Sequence, residues 1–390
     1  MSFDALWSAL EPVGRSPATG GYRRFAWTGE DLTLREWFAS SAAERGLDLV
    51  EDRSGNQWAW WGSPSADRPG VVAGSHLDSV PDGGAFDGPL GVVSAFCAVD
   101  ALRDKGFVPS RPIGVVNFSD EEGARFGVAC AGSRLLTGAL LPERALALRD
   151  NDGATMASAL KAVGRPAPAP DPEALYRVGA FVELHVEQGR RLIDLAAPVG
   201  VGTAIWPHGR WRVDLAGEAN HAGTTRLADR HDPMLDYARL VLAAREAAQR
   251  HGAVATCGKV RVEPNGVNAI PSRVTAWLDA RAESADAVWR VIADLTGPVE
   301  PIEESWTDET VLDADLRRRV AAVLDDPPQL GTGAGHDAGI LASKGIPAAM
   351  LFVRNPTGVS HSPAEFAERD DCLAGVEALT AVLQDLAGAP

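Results

Sequence analysis

Five short stretches of this chain carry the residue types that metal-assisted hydrolysis uses. In Gly74-Ser75-His76-Leu77-Asp78 an extended backbone would point His76 and Asp78 to the same side. A metal-ligating imidazole usually gives its second N–H to a carboxylate, and this pair supplies both parts. Taken alone, a histidine packed at a turn is the commoner occurrence. Asp87 is the one strong ligand in the glycine-rich loop Gly83-Gly84-Ala85-Phe86-Asp87-Gly88-Pro89-Leu90-Gly91, whose glycines would let backbone approach a metal cluster closely. By itself that loop reads as a turn or an anion cradle; it lacks G-x-x-x-x-G-K-[ST], so nucleotide binding is not expected. Ser119-Asp120-Glu121-Glu122 crowds carboxylates together, which is costly unless cations or water neutralise them. Adjacent glutamates can divide the labour, one binding metal and the other acting as general base. A solvated acidic turn accounts for that segment equally well.

Two further histidines complete the set. Glu183-Leu184-His185-Val186-Glu187-Gln188 puts His185 and Glu187 on one side of a predicted strand, and Ser360-His361-Ser362 follows another. Singly each histidine is more often structural. Jointly, His76, Asp87, Glu122, His185 and His361 are ligands suited to Zn2+, Mn2+, Co2+ or Ni2+. A bridging carboxylate with a histidine and a further carboxylate or histidine at each ion is what a two-metal hydrolase needs to activate water.

The elements that would position these residues alternate. Val71–Ala73, Ile113–Val116 and Ala348–Val353 are short, apolar and bounded by Gly or Pro, as buried central strands are. Leu90–Lys105 and Asp371–Leu386 have helical spacing between them. This predicts an α/β catalytic domain, a central mixed sheet flanked by helices, over residues 1–205 and 317–390. Between them the pattern changes. Arg210–Ala216 alternates, Pro233–Arg250 is helical, Val260–Val262 and Val274–Arg281 read as strands, and Ala285–Leu295 as a second helix. The expectation for residues 206–316 is an inserted α+β domain with about four antiparallel strands. Gly164–Pro172, rich in Pro and Ala, reads as a surface linker.

Composition excludes several classes. With 37 basic against 53 acidic residues the formal net charge is −16, which repels nucleic acid and anionic membranes. No window reaches the length of a membrane span and residues 1–14 carry no leader pattern, so a cytoplasmic protein is expected. The four cysteines, Cys97, Cys130, Cys257 and Cys372, never form C-x-x-C and read as buried hydrophobes. Trp58, Trp60 and Trp61 read as core or interface.

In order along the chain, GSHLDSVPDGGAFDGPLGV, DEEGARF, ELHVEQG, GEANHAGTT, GVNAIPSRV, GAGHDAG and VSHSPAEF resemble the zinc aminoacylase and carboxypeptidase superfamily. Within it the resemblance is to the N-carbamoyl-L-amino acid amidohydrolases, allantoate amidohydrolases and β-ureidopropionases, and it runs from about Gly14 to Cys372. It implies two divalent ions per subunit, zinc or manganese with cobalt or nickel as alternatives. His76, Asp87 and His185 would hold one ion, and Asp87, Glu122 and His361 the other. It implies Glu121 as general base, Asp78 as the partner that orients His76, and substrate contacts from Gln188, Asn268, Arg281 and the Gly335 backbone. A guanidinium such as Arg281 suits bidentate capture of a substrate carboxylate, although Asn268 as a turn residue and Arg281 as a surface cation are the plain alternatives. The resemblance further implies that His221 acts across a homodimer interface to support the oxyanion, with the inserted domain as lid and dimer surface. The stretch Ala285–Glu304 is shorter than many relatives carry, which bears on the lid's outer edge.

The expected activity is hydrolysis of the ureido or amide C–N bond of a small N-carbamoyl-L-amino acid or allantoate by metal-activated water. Deacylation of an N-formyl or N-formimino amino acid is the alternative within the enzyme class, and a non-catalytic ligand-binding homologue the alternative outside it. A nucleotide-dependent oxidoreductase, prompted by Gly331-Thr332-Gly333-Ala334-Gly335, fails because no βαβ unit with an acidic ribose ligand follows in register.

Overall fold

Runs of Val, Ile and Ala without polar alternation become strands buried on both faces, and the computed structural model, which describes residues 2–388, places them so. The chain divides into two compact units, one made by the chain up to Thr203 and from Val311 onward, the other by Ala204–Thr310. Strands of the first unit ahead of the division are β1 (Asp48–Glu51), β2 (Gln57–Trp61), β3 (Gly70–His76), β4 (Ile113–Phe118), β5 (Val178–Val186) and β6 (Val199–Ile205).

In the second unit β7 (His208–Ala216) alternates buried and more exposed residues, as its sequence predicts. It is followed by β8 (Asn220–His221), β9 (Ala253–Glu263), β10 (Ala269–Ile270), β11 (Arg273–Ala282) and β12 (Ile302–Thr307). The four longer strands form an antiparallel sheet in the order β12-β7-β11-β9. Trp211, Val213, Val274, Ala276 and Leu278 bury one face of it against the helices Pro233–His251 and Ala285–Leu295. β8 and β10 pair separately, Ala269 opposite His221.

The first unit resumes with β13 (Thr310–Val311), β14 (Gln329–Thr332) and β15 (Ala348–Val353). The Leu312 N–H donates to the Thr203 carbonyl at 3.1 Å, and its side chain packs in one apolar cluster with Met350 and Phe352. Its sheet runs β1-β2-β4-β3-β5-β15-β6-β13, with β14 also on β6. The central pairs β4-β3, β3-β5 and β5-β15 are parallel, while β2 and β6 flank them antiparallel. Val71 and Ala73 enter one cluster with the helices Pro89–Asp104 and Arg369–Ala387; Val72 between them enters the opposite cluster. Both faces being covered is why these strands lack polar alternation.

Three features were not read from sequence, or were read otherwise. The helices Phe3–Leu10 and Gly29–Glu44 precede the first strand, and several short helices lie between Ala131 and Tyr176. Trp58 and Trp60 are core residues as expected, stacked at 6.1 Å. Cys97, Cys130 and Cys372 are buried but Cys257, on the edge strand β9, is only half-buried. Among the described residues no helix is long and apolar enough to cross a membrane.

Candidate metal centre

The parallel strands converge on one edge, where open α/β sheets bind ligands. His76 ends β3 level with Phe118 at the end of β4, and His185 lies near the end of β5 opposite Phe352 of β15. The acidic segment Ser119–Glu122 follows β4, and His361 follows β15.

Asp87 lies at the centre. Its Oδ1 is 3.5 Å from His76 Nε2 and 3.1 Å from His185 Nε2, while its Oδ2 is 3.5 Å from His361 Nε2. His361 Nε2 in turn lies 3.7 Å from Glu122 Oε2. Two trios therefore share one carboxylate: His76, Asp87 and His185, and Asp87, Glu122 and His361, the ligand atoms of each within 4.8 Å of one another. The loop carrying Asp87 packs tightly on the sheet. At Gly88, with φ of +81°, a Cβ would come within 2.4 Å of the His76 ring, so this position requires glycine for both conformation and space.

The imidazoles are oriented from behind. His76 Nδ1 faces the Asp78 carbonyl at 3.2 Å and its carboxylate at 3.5 Å, and His185 Nδ1 faces the Val186 carbonyl at 2.9 Å; each leaves Nε2 to the centre. The Asp78 carboxylate also accepts the N–H groups of Glu121 and Glu122 at 3.1 and 3.0 Å, tying the acidic segment to the histidine. Glu187 does not join His185; it accepts the N–H groups of Arg191 and Leu192 and so caps the following turn.

Charge is concentrated here. Burial opposes the imidazolium forms, yet Glu121, Asp78 and Asp87 outweigh it at His76 and raise its pKa well above the usual range, and Asp87 chiefly does so at His185, raising it to about 9. Burial would raise Asp87, but His185 and His76 hold it well below the ordinary carboxylate range. Burial pushes Glu121 up to about 7 against the pull of His76. Burial and then the charges of Asp87 and Glu121 push Glu122 well up, and its Oε1 is buried without a hydrogen-bond partner. An oxygen-rich, crowded set with an orphaned carboxylate oxygen fits divalent cations, which supply the missing countercharge.

Gln188 donates through Nε2 to Asp87 Oδ2 at 2.8 Å and approaches His361 Nε2 at 3.3 Å. Gly335 lies in the loop just before the helix Asp337–Ala342. In the second unit His221 accepts the Gly223 N–H on Nδ1 at 3.0 Å, and the Asn268 carbonyl accepts the Ala222 N–H. Arg281 forks onto Asp279, two residues back on β11, at 2.6 and 3.0 Å. Sequence reasoning missed Glu365, whose carboxylate accepts the Phe86 and Asp87 N–H groups, and Cys130, whose thiol donates to Glu121 Oε1 at 3.1 Å. Missed too was the buried pair Glu183 and His336, which with His185 forms a third group of metal-ligand types. Glu365 stood inside a quoted motif; nothing local marked Cys130.

Residues 72–385 match the model of peptidase family M20/M25/M40. The chain belongs to that family. It is 39% identical to an N-carbamoyl-L-amino acid amidohydrolase of Geobacillus stearothermophilus, over 98% of each chain. It is 33% identical to an allantoate amidohydrolase of Escherichia coli K12, over 97% of this chain and 96% of that one. The crystal structure of AtUAH in complex with (S)-hydroxyglycine superimposes with a TM-score of 0.90 at 27% identity, covering 99% and 97%. As a member of this group the chain is a hydrolase acting on non-peptide carbon–nitrogen bonds.

Proposed function

We propose that this protein hydrolyses the ureido C–N bond of an N-carbamoyl-L-amino acid or of allantoate with two divalent ions, zinc or manganese, one in each trio. The observation that carries this is Asp87, whose two oxygens face different trios, the arrangement a bridging carboxylate needs. Bound there, the ions would polarise the substrate carbonyl and make water nucleophilic at neutral pH. Glu121, beside both trios and poised near neutrality by burial, takes the proton of the attacking water and returns it to the departing nitrogen. An N-carbamoyl substrate then yields the free amino acid and carbamate, which decomposes to CO2 and ammonia. Asp78 holds His76 and the Glu121 backbone in register for this.

Substrate positioning we assign to Gln188, the Gly335 backbone, Asn268 and Arg281, whose fork on Asp279 keeps the guanidinium oriented to meet a carboxylate. Because His221 Nδ1 is used as an acceptor, the neutral ring carries its proton on Nε2, the state required to donate to an oxyanion. We assign that donation to a homodimer, with the second unit, residues 206–316 on sequence grounds, as lid and dimer surface. Its support is the eleven-residue edge strand β9, with Val254 and Val260 exposed, beside Leu235 and Leu242 exposed on the helix Pro233–His251. Such an edge is a ready template for pairing.

The experiment is ammonia and amine release by manganese-loaded protein from allantoate, N-carbamoyl-L-amino acids and N-formyl-L-glutamate in parallel, with and without chelator. Turnover of a ureido compound that chelator abolishes is expected. Turnover confined to the formyl compound moves the substrate to the deacylase class, and silence across the panel overturns the proposal.

A further inference from the structure

The second trio reaches the centre on three segments, after β3, β4 and β15, and the loops of Asp87 and His361 follow strands that do not pair with each other. Gln188 touches side chains of both loops, but Glu365 is the side chain that ties the backbone of one to the other. Glu365 is 4% exposed; its Oε1 accepts the N–H groups of Phe86 and Asp87 at 3.0 and 2.9 Å, and its Oε2 accepts the Ser360 hydroxyl at 3.0 Å. Thus a single carboxylate grips the backbone of the bridging Asp87, 278 residues away in sequence, and the residue next to His361. The fit leaves no room on the loop it grips, since a Cβ at Gly84 would lie 2.3 Å from Glu365 Cβ. His361 itself sits at φ of +53°, a conformation a histidine adopts only when its surroundings hold it there.

We infer that Glu365 is a positioning residue for the second trio: by clamping the Asp87 loop to the His361 loop it sets the ligand spacing that lets Asp87, Glu122 and His361 hold an ion. The first trio depends on this clamp less, because two of its three ligands, His76 and His185, are fixed by β3 and β5 and by their own carbonyl partners, and only the shared Asp87 rides on the clamped loop. This rests on the reading that the trios hold two ions.

The test is titration of metal-free protein with Co2+, followed by calorimetry and by visible absorption, which resolves each equivalent. Wild-type protein takes two equivalents. In Glu365→Ala the equivalent that is also lost in His361→Ala weakens roughly 10- to 100-fold, the size expected for removing an outer support of a ligand, while the other, which shares only Asp87 with it, weakens clearly less. Glu365→Gln keeps an acceptor oxygen for the Phe86 and Asp87 N–H groups and recovers most of that affinity. Ser360→Ala removes the hydroxyl arm of the clamp, with that hydroxyl's longer contacts to Gln188 and Asp87, and weakens the same equivalent by less; it decides the matter if Glu365→Ala does not fold. Equal weakening of both equivalents, or no weakening in either Glu365→Ala or Ser360→Ala, overturns the clamp with the two-ion reading intact. Uptake of fewer than two equivalents by wild-type protein overturns the two-ion reading, and the clamp with it.

Discussion

The two trios share Asp87 and differ in nearly everything else. His76 and His185 have side chains 1% exposed and belong to the adjoining parallel strands β3 and β5, so their spacing is set by strand hydrogen bonds. His361 has a side chain 52% exposed, on a loop in a left-handed conformation, and its partner Glu122 follows a strand on the far side of β3. The first trio is built by the sheet and the second by loops that other side chains must tie. A preorganised, buried set should hold its ion more tightly, and a loop-built, open set should exchange it, because ordering the loop is then part of the cost of binding.

Asp87→Ala removes the shared ligand and should abolish both equivalents of metal together with detectable turnover, measured by elemental analysis of the purified protein. Retention of one tightly bound ion would break the claim that the trios share a bridge. Glu121→Gln tests the reverse separation: both equivalents stay and the rate falls on the order of 10^2- to 10^4-fold, the usual worth of a general base. His361→Ala should lose one equivalent and keep the other, whereas His185→Ala should lose the tighter one; the opposite ranking would reverse the comparison drawn from burial. The smallest effect is a proton count. In the empty site His185 stays protonated up to about 9, so between pH 7 and that value a metal ion must displace a proton from it. Apparent affinity of the buried trio therefore rises with pH over this window, and calorimetry in two buffers of different ionisation enthalpy should show at least one proton released with the tighter ion.

Much of this was legible along the chain because parallel strands are continuous apolar runs and their C-terminal ends are where ligands gather. β3, β4 and β15 stand where Val71–Ala73, Ile113–Val116 and Ala348–Val353 predict them, and all five expected metal-ligand residues fall into the two trios. The helices before β1 and the short ones between Ala131 and Tyr176 were not legible. Gly29–Glu44 buries charged residues such as Asp31 and Arg35, so its face does not separate by polarity, and the others are too short to show a period. The pairing of Glu187 with the next turn, in place of His185, depends on a chain reversal just after β5 that alternation does not announce.

What the sequence determines by itself is the identity of the reactive groups and the strands that present them, since side-chain chemistry and hydrophobic period are local properties. Which groups meet is a matter of tertiary structure. The two faces of Asp87, the Cys130 thiol on Glu121 and the grip of Glu365 on a loop 278 residues away join segments whose separation along the chain carries no information about their distance. Only the packed sheet and the loops tied across its edge bring them within hydrogen-bonding reach.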